Sequence, residues 1–259
     1  MSIMDALSGD RDGGIAGTPR YDSLVLATVT NLSDPEKLGR VKCRPVTADA
    51  EVRETEWCYH LTPWGSDGSG FFFFPNVGDL VVIAYLFGEI TRPVILGGVW
   101  TGSQKAPYAA VDGKSETAAI KTKKGLEIKL DLKDGKEKLT LITPKGAAVK
   151  LDDEAEVISI SDKDGKNALT LDIKGGTITL KAKTKLILSA GDSKITLNSA
   201  GSAEIESKQS LKAEAATIEL KGKSSANINA AQIELKAQGQ LTLQSGGITN
   251  VKGSVVKIN

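Results

Sequence analysis

The C-terminal part of this chain repeats one short pattern from about residue 120 to Asn259, in which two apolar residues flank a single polar one. Residues i and i+2 lie on the same face of a β-strand, so each pair predicts a short strand with one buried face. A repeat of seven to nine residues leaves room for one strand and one corner. It predicts a β-solenoid, which is structural or binding more often than catalytic. The regular pairs are Leu186/Leu188, Ile195/Leu197, Ala203/Ile205, Leu211/Ala213, Ile218/Leu220, Ala226/Ile228, Ile233/Leu235, Leu241/Leu243 and Val256/Ile258.

Two arrangements could close the core of such a solenoid. One chain could supply three sides of each turn, or three chains could intertwine, each supplying one side of every layer. Each repeat brings only two inward side chains, mostly Leu, Ile and Ala, which favours a thin threefold prism. Intertwining also protects strand edges from aggregation. We therefore expect a homotrimer. The candidates for its interface among these pairs are Leu186, Leu188, Ile195, Leu197, Ile218, Leu220, Ile233, Leu235, Leu241, Leu243, Val256 and Ile258.

Residues 123–180 carry the same alternation in longer runs. The turn sequences Lys133-Asp134-Gly135-Lys136 and Lys163-Asp164-Gly165-Lys166 separate some of these runs. Asp-Gly between alternating runs is the strongest short hairpin signal. This stretch is therefore expected to form longer strands and turns that narrow into a regular needle after about Leu186.

The composition changes sharply along the chain. Every Trp, Tyr and Phe lies at or before Tyr108, and every Arg at or before Arg92. Two segments with such different amino-acid compositions are predicted to have two different architectures. The Gly-, Ser-, Pro- and Ala-rich stretch 101–119 separates them and is interpreted as a linker.

The charge pattern argues against nucleic acid as a partner. The formal net charge is +1, and residues 120–259 carry 23 Lys against 17 Asp or Glu, interspersed and without aromatic residues. A solvated shaft of mixed charge fits better. The N-terminus does not read as a signal peptide, and the longest apolar run, Leu80–Phe87, is too short to span a bilayer. We expect a soluble protein made in the cytoplasm.

Several short β-like runs, Gly70–Phe74 among them, lie between Leu24 and Val99, which predicts a small barrel or sandwich. The run Phe71-Phe72-Phe73-Phe74 cannot place all its rings in one small core, so Phe71 and Phe73 are candidates for a subunit interface. A strand buried on both sides within one chain is the alternative. Cys43 and Cys58 are expected to be small buried hydrophobes, with a disulfide or metal pair as the alternative.

Motifs across residues 22–100 carry a family resemblance. Val29-x-Asn31-x-x-Asp34-Pro35 is followed by Gly39-Arg40-Val41-Lys42, Trp57, Gly70, Phe74-Pro75-x-x-Gly78-Asp79-x-Val81 and Phe87-Gly88-x-x-x-Arg92-Pro93-Val94-x-x-Gly97. Their order and spacing resemble the OB-fold domain of phage baseplate spikes and of VgrG-type spikes in type VI secretion. The repeats after residue 120 resemble the β-helix of the same proteins.

The resemblance implies an all-β protein with an N-terminal OB-fold barrel followed by a C-terminal intertwined trimeric β-helix, the needle. The expected segments are a flexible N-terminal segment 1–21 that could contact a hub, an OB-fold domain 22–100, the linker 101–119 and the spike 120–259. A structural role is expected for the motif residues Asp34, Pro35, Gly39, Arg40, Val41, Gly78, Asp79, Arg92, Pro93 and Gly97.

The expected function is that of a central spike in a contractile tail or injection system, docking under the hub and puncturing a target envelope when the sheath contracts. About 20 residues precede the barrel, and a linker of about 20 residues separates it from the repeats. A separate hub protein is therefore expected at the N-terminal end, and no inserted lysozyme domain. The last 60 residues hold no His or Cys, which argues against an iron site at the tip. A separate PAAR-like tip protein is expected there.

The sequence contains no recognisable catalytic or cofactor-binding set. His60 is the only histidine, and we expect it to be a structural strand residue. An enzyme is therefore not expected. The alternative function is a trimeric stalk whose OB-fold module binds oligosaccharide or single-stranded nucleic acid.

Overall fold

The computed structural model describes residues 23–46, 53–109 and 113–258 and is all-β apart from one 3-10 turn, Leu86–Gly88. The N-terminal segment 1–21, predicted to be flexible, lies outside the described residues. The strands are β1 Val25–Asn31, β2 Lys42–Pro45, β3 Tyr59–His60, β4 Gly65–Ser66, β5 Ser69–Gly70, β6 Leu80–Tyr85, β7 Pro93–Gly98, β8 Thr117–Lys121, β9 Glu127–Asp131, β10 Lys138–Ile142, β11 Ala148–Asp152, β12 Val157–Ser161, β13 Ala168–Asp172, β14 Thr177–Lys181, β15 Lys185–Ala190, β16 Ser193–Asn198 and β17 Ala203–Glu206.

The N-terminal strands form an OB-like five-stranded sheet in the order β2-β1-β6-β7-β3. An antiparallel bridge between Val41 and Cys58 joins the two ends of this order, where β2 and β3 begin. Alternation along each strand places one set of aliphatic side chains inside. The buried core consists of Ala27, Val29, Val41, Cys43, Cys58, Val81, Ile83 and Ile95.

The run Gly70–Phe74 reads as a strand in the sequence, but only Gly70 lies in one. β4 and β5 form a short hairpin, and the Phe71 N–H donates to the Trp64 carbonyl at 3.0 Å. Phe72 to Phe74 follow outside any strand. High β-propensity does not make a strand where no neighbouring strand supplies hydrogen bonds.

Residues 117–181 form a seven-stranded antiparallel sheet in which β8 to β14 follow one another in chain order. The Asp-Gly sequences lie in the turns between β9 and β10 and between β12 and β13, so both predicted hairpins are confirmed. No register shift interrupts the pairing from β8 to β14. Every strand therefore presents the same parity of residues to the same side.

The chain divides into two compact units. One comprises the described residues up to Leu186 together with 198–202, and the other comprises 187–197 together with the described residues from Ala203. A three-stranded sheet contains β15, β16 and β17. From Ser207 to Ile258 the described chain forms no strand, and every residue is exposed. The intertwined trimeric β-helix, which requires other chains, stays a prediction.

Among the described residues, no helix has the length and hydropathy needed to cross a membrane.

Candidate assembly surfaces

An Asp34–Arg40 ion pair organises the turn between β1 and β2. The Arg40 guanidinium donates from Nε and Nη2 to the two carboxylate oxygens of Asp34, at 3.0 and 2.8 Å. The backbone N–H groups of Glu36 and Leu38 donate to the same carboxylate at 3.1 and 2.9 Å. Only 4% of the Asp34 side chain and 11% of the Arg40 side chain are exposed. Arg40 also lies 5.8 Å from the centroid of the Tyr59 ring. The motif therefore locks a loop and leaves little for an external ligand to contact.

We expect Asp34→Ala to lower the thermal midpoint of the OB-like sheet much more than Glu36→Ala does. The first change leaves the Arg40 guanidinium and several N–H groups without their acceptor. Glu36 contacts the same guanidinium at 3.0 Å, but its side chain is 65% exposed. The measurement is thermal unfolding of each variant followed by circular dichroism. Equal losses would mean that the pair does not organise the turn.

The pH dependence of this stabilisation follows from the same contacts. The hydrogen bonds from Arg40, aided by the backbone donors, hold the pKa of Asp34 well below its ordinary value despite the opposing effect of burial. A carboxyl whose pKa is depressed on folding stabilises above its unfolded pKa, and this is lost as pH falls through the folded pKa. The difference between wild type and Asp34→Ala should therefore stay constant above about pH 5 and shrink only in acid.

The other motif residues also occupy turns and strand ends. Gly78 has a φ of +89°, and Asp79 caps its turn by accepting the Asn76 N–H at 2.8 Å. Arg92 forms a surface pair with Glu89 at 2.8 Å. The remaining members are an exposed turn residue, Pro35; a left-handed glycine, Gly39; a core residue, Val41; a buried strand residue, Pro93; and a strand residue beside a register shift, Gly97.

Residues in the predicted linker contact both the OB-like sheet and the seven-stranded sheet. The Gln104 side chain accepts the Leu80 N–H at 2.9 Å and donates to the Gly78 carbonyl at 2.7 Å. The Tyr108 hydroxyl donates to Glu127 on β9, and this bond together with the Lys121 ammonium lowers the pKa of Glu127. Lys123, in the first turn of the seven-stranded sheet, pairs with Asp79 at 2.5 Å. Sequence reasoning missed these anchors because a lone Gln, Tyr or Lys carries no pattern.

Aromatic rings form an exposed cluster beside β4 and β5. Phe71 stacks on Phe73 with centroids 6.3 Å apart, and Trp64 meets Phe71 edge-on at 6.4 Å. Phe72 stacks on Phe74, yet 82% of Phe72 is exposed and only Phe74 packs against the core. A groove of about 550 Å³ runs along this cluster, and none of its lining residues is Lys or Arg. The predicted interface residues Phe71 and Phe73 are thus exposed, and Phe72 and Trp64 join them.

One face of the seven-stranded sheet is aliphatic across all seven strands. Directly paired residues share a face, so unbroken register lines up two rows of side chains. Many of them are exposed, including Ile120, Leu151 and Leu180. The first row is Ala118, Leu130, Leu139, Leu151, Ile158, Leu171 and Ile178; the second is Ile120, Ile128, Leu141, Val149, Ile160, Leu169 and Leu180.

The opposite face of this sheet is mostly polar. Lys138 pairs with Asp152 at 2.5 Å across β10 and β11, and Lys121 pairs with Glu127 at 3.0 Å across β8 and β9. Tyr108 covers part of this face, with its ring 5.2 Å from the Lys121 ammonium. The polar face therefore carries ion pairs and is partly covered by Tyr108. The aliphatic face lacks a covering layer among the described residues.

The predicted interface residues of the needle are open to solvent in the single chain. In β15, Leu186 is half-buried and Leu188 is exposed. In β16, Ile195 and Leu197 pair with Ile205 and Ala203 of β17 and keep about two-fifths of their surface exposed. The remaining candidates lie in the strand-free segment and are all exposed: Ile218, Leu220, Ile233, Leu235, Leu241, Leu243, Val256 and Ile258.

The two cysteines and the histidine occupy structural positions in the OB-like sheet. Cys43 and Cys58 are fully buried free thiols, which confirms the expectation of small buried hydrophobes. The hydrogen bond between them and their burial both raise the pKa of Cys43. His60 lies in β3, with its ring 6.2 Å from that of Phe74, and burial lowers its pKa. Among the described residues, no cluster of His, Cys, Asp and Glu could hold a metal ion.

Comparisons with known proteins agree with the motif resemblance. Residues 25–100 match the family model of the type VI secretion system/phage-baseplate injector OB domain. Type VI secretion system spike protein VgrG2a of Pseudomonas aeruginosa is 28% identical over 142 residues, covering 50% of this chain and 17% of VgrG2a. Spike protein VgrG3 of Vibrio cholerae is 27% identical over 106 residues, covering 38% of this chain and 10% of VgrG3.

The predicted resemblance to VgrG-type spikes is thereby confirmed. The chain spans less than a fifth of the length of these curated relatives.

Proposed function

We propose that the protein is the homotrimeric central spike of a contractile tail or phage-tail-like injection system. The match of residues 25–100 to an injector OB domain and the likeness to VgrG spike proteins support a spike role. The uncovered aliphatic face is the observation that carries the trimer, because it supplies each chain with a surface that other copies can bury.

The size of this face favours a partner that would bury it. Seven strands about 4.8 Å apart and five residues long give a face of roughly 30 by 17 Å, or about 500 Å². That lies near the upper end of apolar patches on monomeric proteins, about 300–600 Å². Three copies that turn this face toward a common axis would bury it on every chain, and the ion-paired polar face would remain in water.

The C-terminal segment, residues 207–258, also needs a partner to bury its apolar side chains. Its apolar i, i+2 pairs are exposed, and one chain gives them no neighbouring strand among the described residues. Intertwining with two further copies would supply both the missing hydrogen bonds and the missing core. The resulting needle would act mechanically: sheath contraction supplies the energy, and inter-chain pairing resists unfolding under load. An enzymatic step has no part in this proposal.

The proposed spike binds other components at its two ends. The OB-like end would dock under a separate hub protein, with the aromatic cluster around Phe72 as the candidate surface for packing between protomers in the collar. The C-terminal end would carry a PAAR-like tip protein. The whole would be a component of a virion tail or of an extracellular or secretion particle.

The native mass of the purified chain tests this proposal. Light scattering should give three times the chain mass of 27.3 kDa, and an unboiled sample should resist denaturing detergent on a gel. Resistance is expected because dense inter-chain pairing slows unfolding. A monomer that melts readily would remove the spike assignment.

The second candidate function is a trimeric stalk whose OB-fold module binds oligosaccharide or single-stranded nucleic acid, and the exposed rings support it. Trp64, Phe71 and Phe72 could stack on sugars or on bases, as OB-fold binding modules do. The groove beside them has no cationic residue in its lining, which favours a protein partner over nucleic acid. A glycan array and an oligonucleotide shift assay would reveal such a ligand.

A further inference from the structure

The turns of the seven-stranded sheet form two rows at opposite ends of its strands. Connections of an antiparallel meander alternate between the two ends, so every second turn lies in the same row. The lysine edge comprises the turns 122–126, 143–147 and 162–167; the acidic edge comprises the turns 132–137, 153–156 and 173–176.

The two edges carry opposite charge. The lysine edge has five Lys and two Asp, and the acidic edge has three Lys and five Asp or Glu. Asp162 on the lysine edge accepts the Lys166 N–H at 2.9 Å and the Asn167 side chain at 2.6 Å, so local donors occupy it. The turn 153–156 is the most acidic, with Asp153, Glu154 and Glu156 and no Lys.

The side chains that give these edges their charge have free surface. No described carboxylate lies within ion-pair distance of Lys145 or Lys163, and no described cation lies within that distance of Asp153 or Glu156. All four residues are exposed. Two members of the edges are already paired: Glu154 with Lys136 on its own edge, and Lys123 of the lysine edge with Asp79.

The backbone of the acidic turn holds an unexpected residue. Each of the six turns has one residue in the left-handed region, and Glu156 takes it with a φ of +52°. The other five turns use glycine there: Gly125, Gly135, Gly146, Gly165 and Gly176. Glycine adopts this conformation without steric cost, whereas glutamate does not. A carboxylate therefore stands where the turn geometry alone would favour glycine.

We propose that the lysine edge of one copy packs against the acidic edge of the next at each corner of the trimer. This inference rests on the proposed threefold assembly. Rotation about an axis parallel to the strand-stacking direction brings unlike edges together, because a cyclic trimer interface is heterologous. Opposite charge at the two edges makes each corner attractive. The same symmetry excludes corners at which two lysine edges or two acidic edges would meet.

The heights of the turns also fit. The turn 143–147 lies between β10 and β11, whereas the acidic turns lie between β9 and β10 and between β11 and β12. Equivalent strands of a cyclic trimer lie at equal height, so Lys145 of one copy fits between the two acidic turns of its neighbour. Lys163 lies one strand above the turn 153–156, so the carboxylates of Asp153 and Glu156 have a lysine on either side.

A disulfide test decides which edges meet. We expect the full-length double variant Lys145→Cys/Ala155→Cys, treated with oxidised glutathione, to give a covalent trimer on a boiled, non-reducing gel. The two turns lie at opposite ends of strands about 17 Å long. A disulfide needs Cα atoms within about 7 Å, so no bond can form within one chain. Lys145→Cys alone and Ala155→Cys alone should not cross-link.

Light scattering beside the gel separates the possible failures. A trimer in which the double variant does not cross-link, or in which Lys145→Cys alone does, would overturn the corner arrangement and leave the proposed trimer intact. A monomer would overturn both. The wild-type chain, whose cysteines are buried, serves as the oxidation control.

Substitutions at Glu156 test the charge. Glu156→Gln and Glu156→Gly should each weaken the trimer roughly threefold or more at low salt, since each change removes one pair from all three corners. The difference should vanish near 1 M salt, where charges are screened over about 3 Å. Glu204→Gln, an exposed carboxylate on β17, is the matched control. A Glu156→Gly chain that assembles more tightly than wild type would show that only backbone strain matters there, and would overturn the proposal.

Discussion

Leu139→Glu is expected to convert the proposed trimer into monomers. Leu139 lies on the aliphatic face of β10, directly between Leu130 of β9 and Leu151 of β11. A carboxylate at this position would be buried three times in each trimer, without a cation beside it. Burial of an unpaired charge costs several kcal/mol, or the carboxyl must bind a proton instead. Light scattering should report the mass of a single chain.

Thr140→Glu is the matched control for this change. Thr140 is the next residue on the same strand, but it lies on the polar face between Lys129 and Lys150. A glutamate there gains two cationic neighbours and should leave the trimer intact. If Leu139→Glu stays trimeric with an unchanged thermal midpoint, the aliphatic face is not the interface between copies.

Backbone amides from Ser207 to Ile258 are expected to exchange with deuterium orders of magnitude more slowly than those of an open chain. In the described residues of this segment, the single chain supplies no backbone-to-backbone hydrogen bond. Protection measures the free energy needed to open a hydrogen bond. Any strong protection must therefore come from other chains.

Hydrogen exchange read by mass spectrometry on peptic fragments measures this directly. The fragment covering Val81 to Tyr85, in the OB-like sheet, provides an internal reference of known pairing. Exchange of the C-terminal fragments within seconds, in a sample that is otherwise folded, would contradict the intertwined needle. Dilution toward monomer should also remove the protection of 207–258 and leave that of β6.

The strands β9 to β14 could be predicted from sequence because three local signals agree. Alternation gives the faces, Asp-Gly, Pro-Lys-Gly or Gly-Gly marks four of the five turns, and short connections give the register. The turn between β11 and β12 lacks such a signal, since Glu156 holds the left-handed position. Local signals also fail at Phe72 to Phe74. These residues have high β-propensity, but no described strand pairs with them.

Contacts between distant residues could not be predicted in the same way. The anchoring of Gln104 to Leu80 and Gly78, and of Lys123 to Asp79, joins residues 24 to 44 positions apart. Such bonds depend on where the folded chain brings the backbone, and one residue in sequence gives no periodicity to detect. The apolar pairs after Ser207 present the opposite case: the pattern is clear, but a single chain supplies no pairing strand for them among the described residues.

The unbroken register of β8 to β14 fixes the steps by which such a sheet can lengthen or shorten. Removing one hairpin, such as β10 and β11 with the turn that joins them, shortens the sheet by about 10 Å and keeps every remaining turn at its own end. Removing a single strand would send each later turn to the opposite end and mix lysine with acidic turns. The length of such a sheet can therefore change only in steps of two strands.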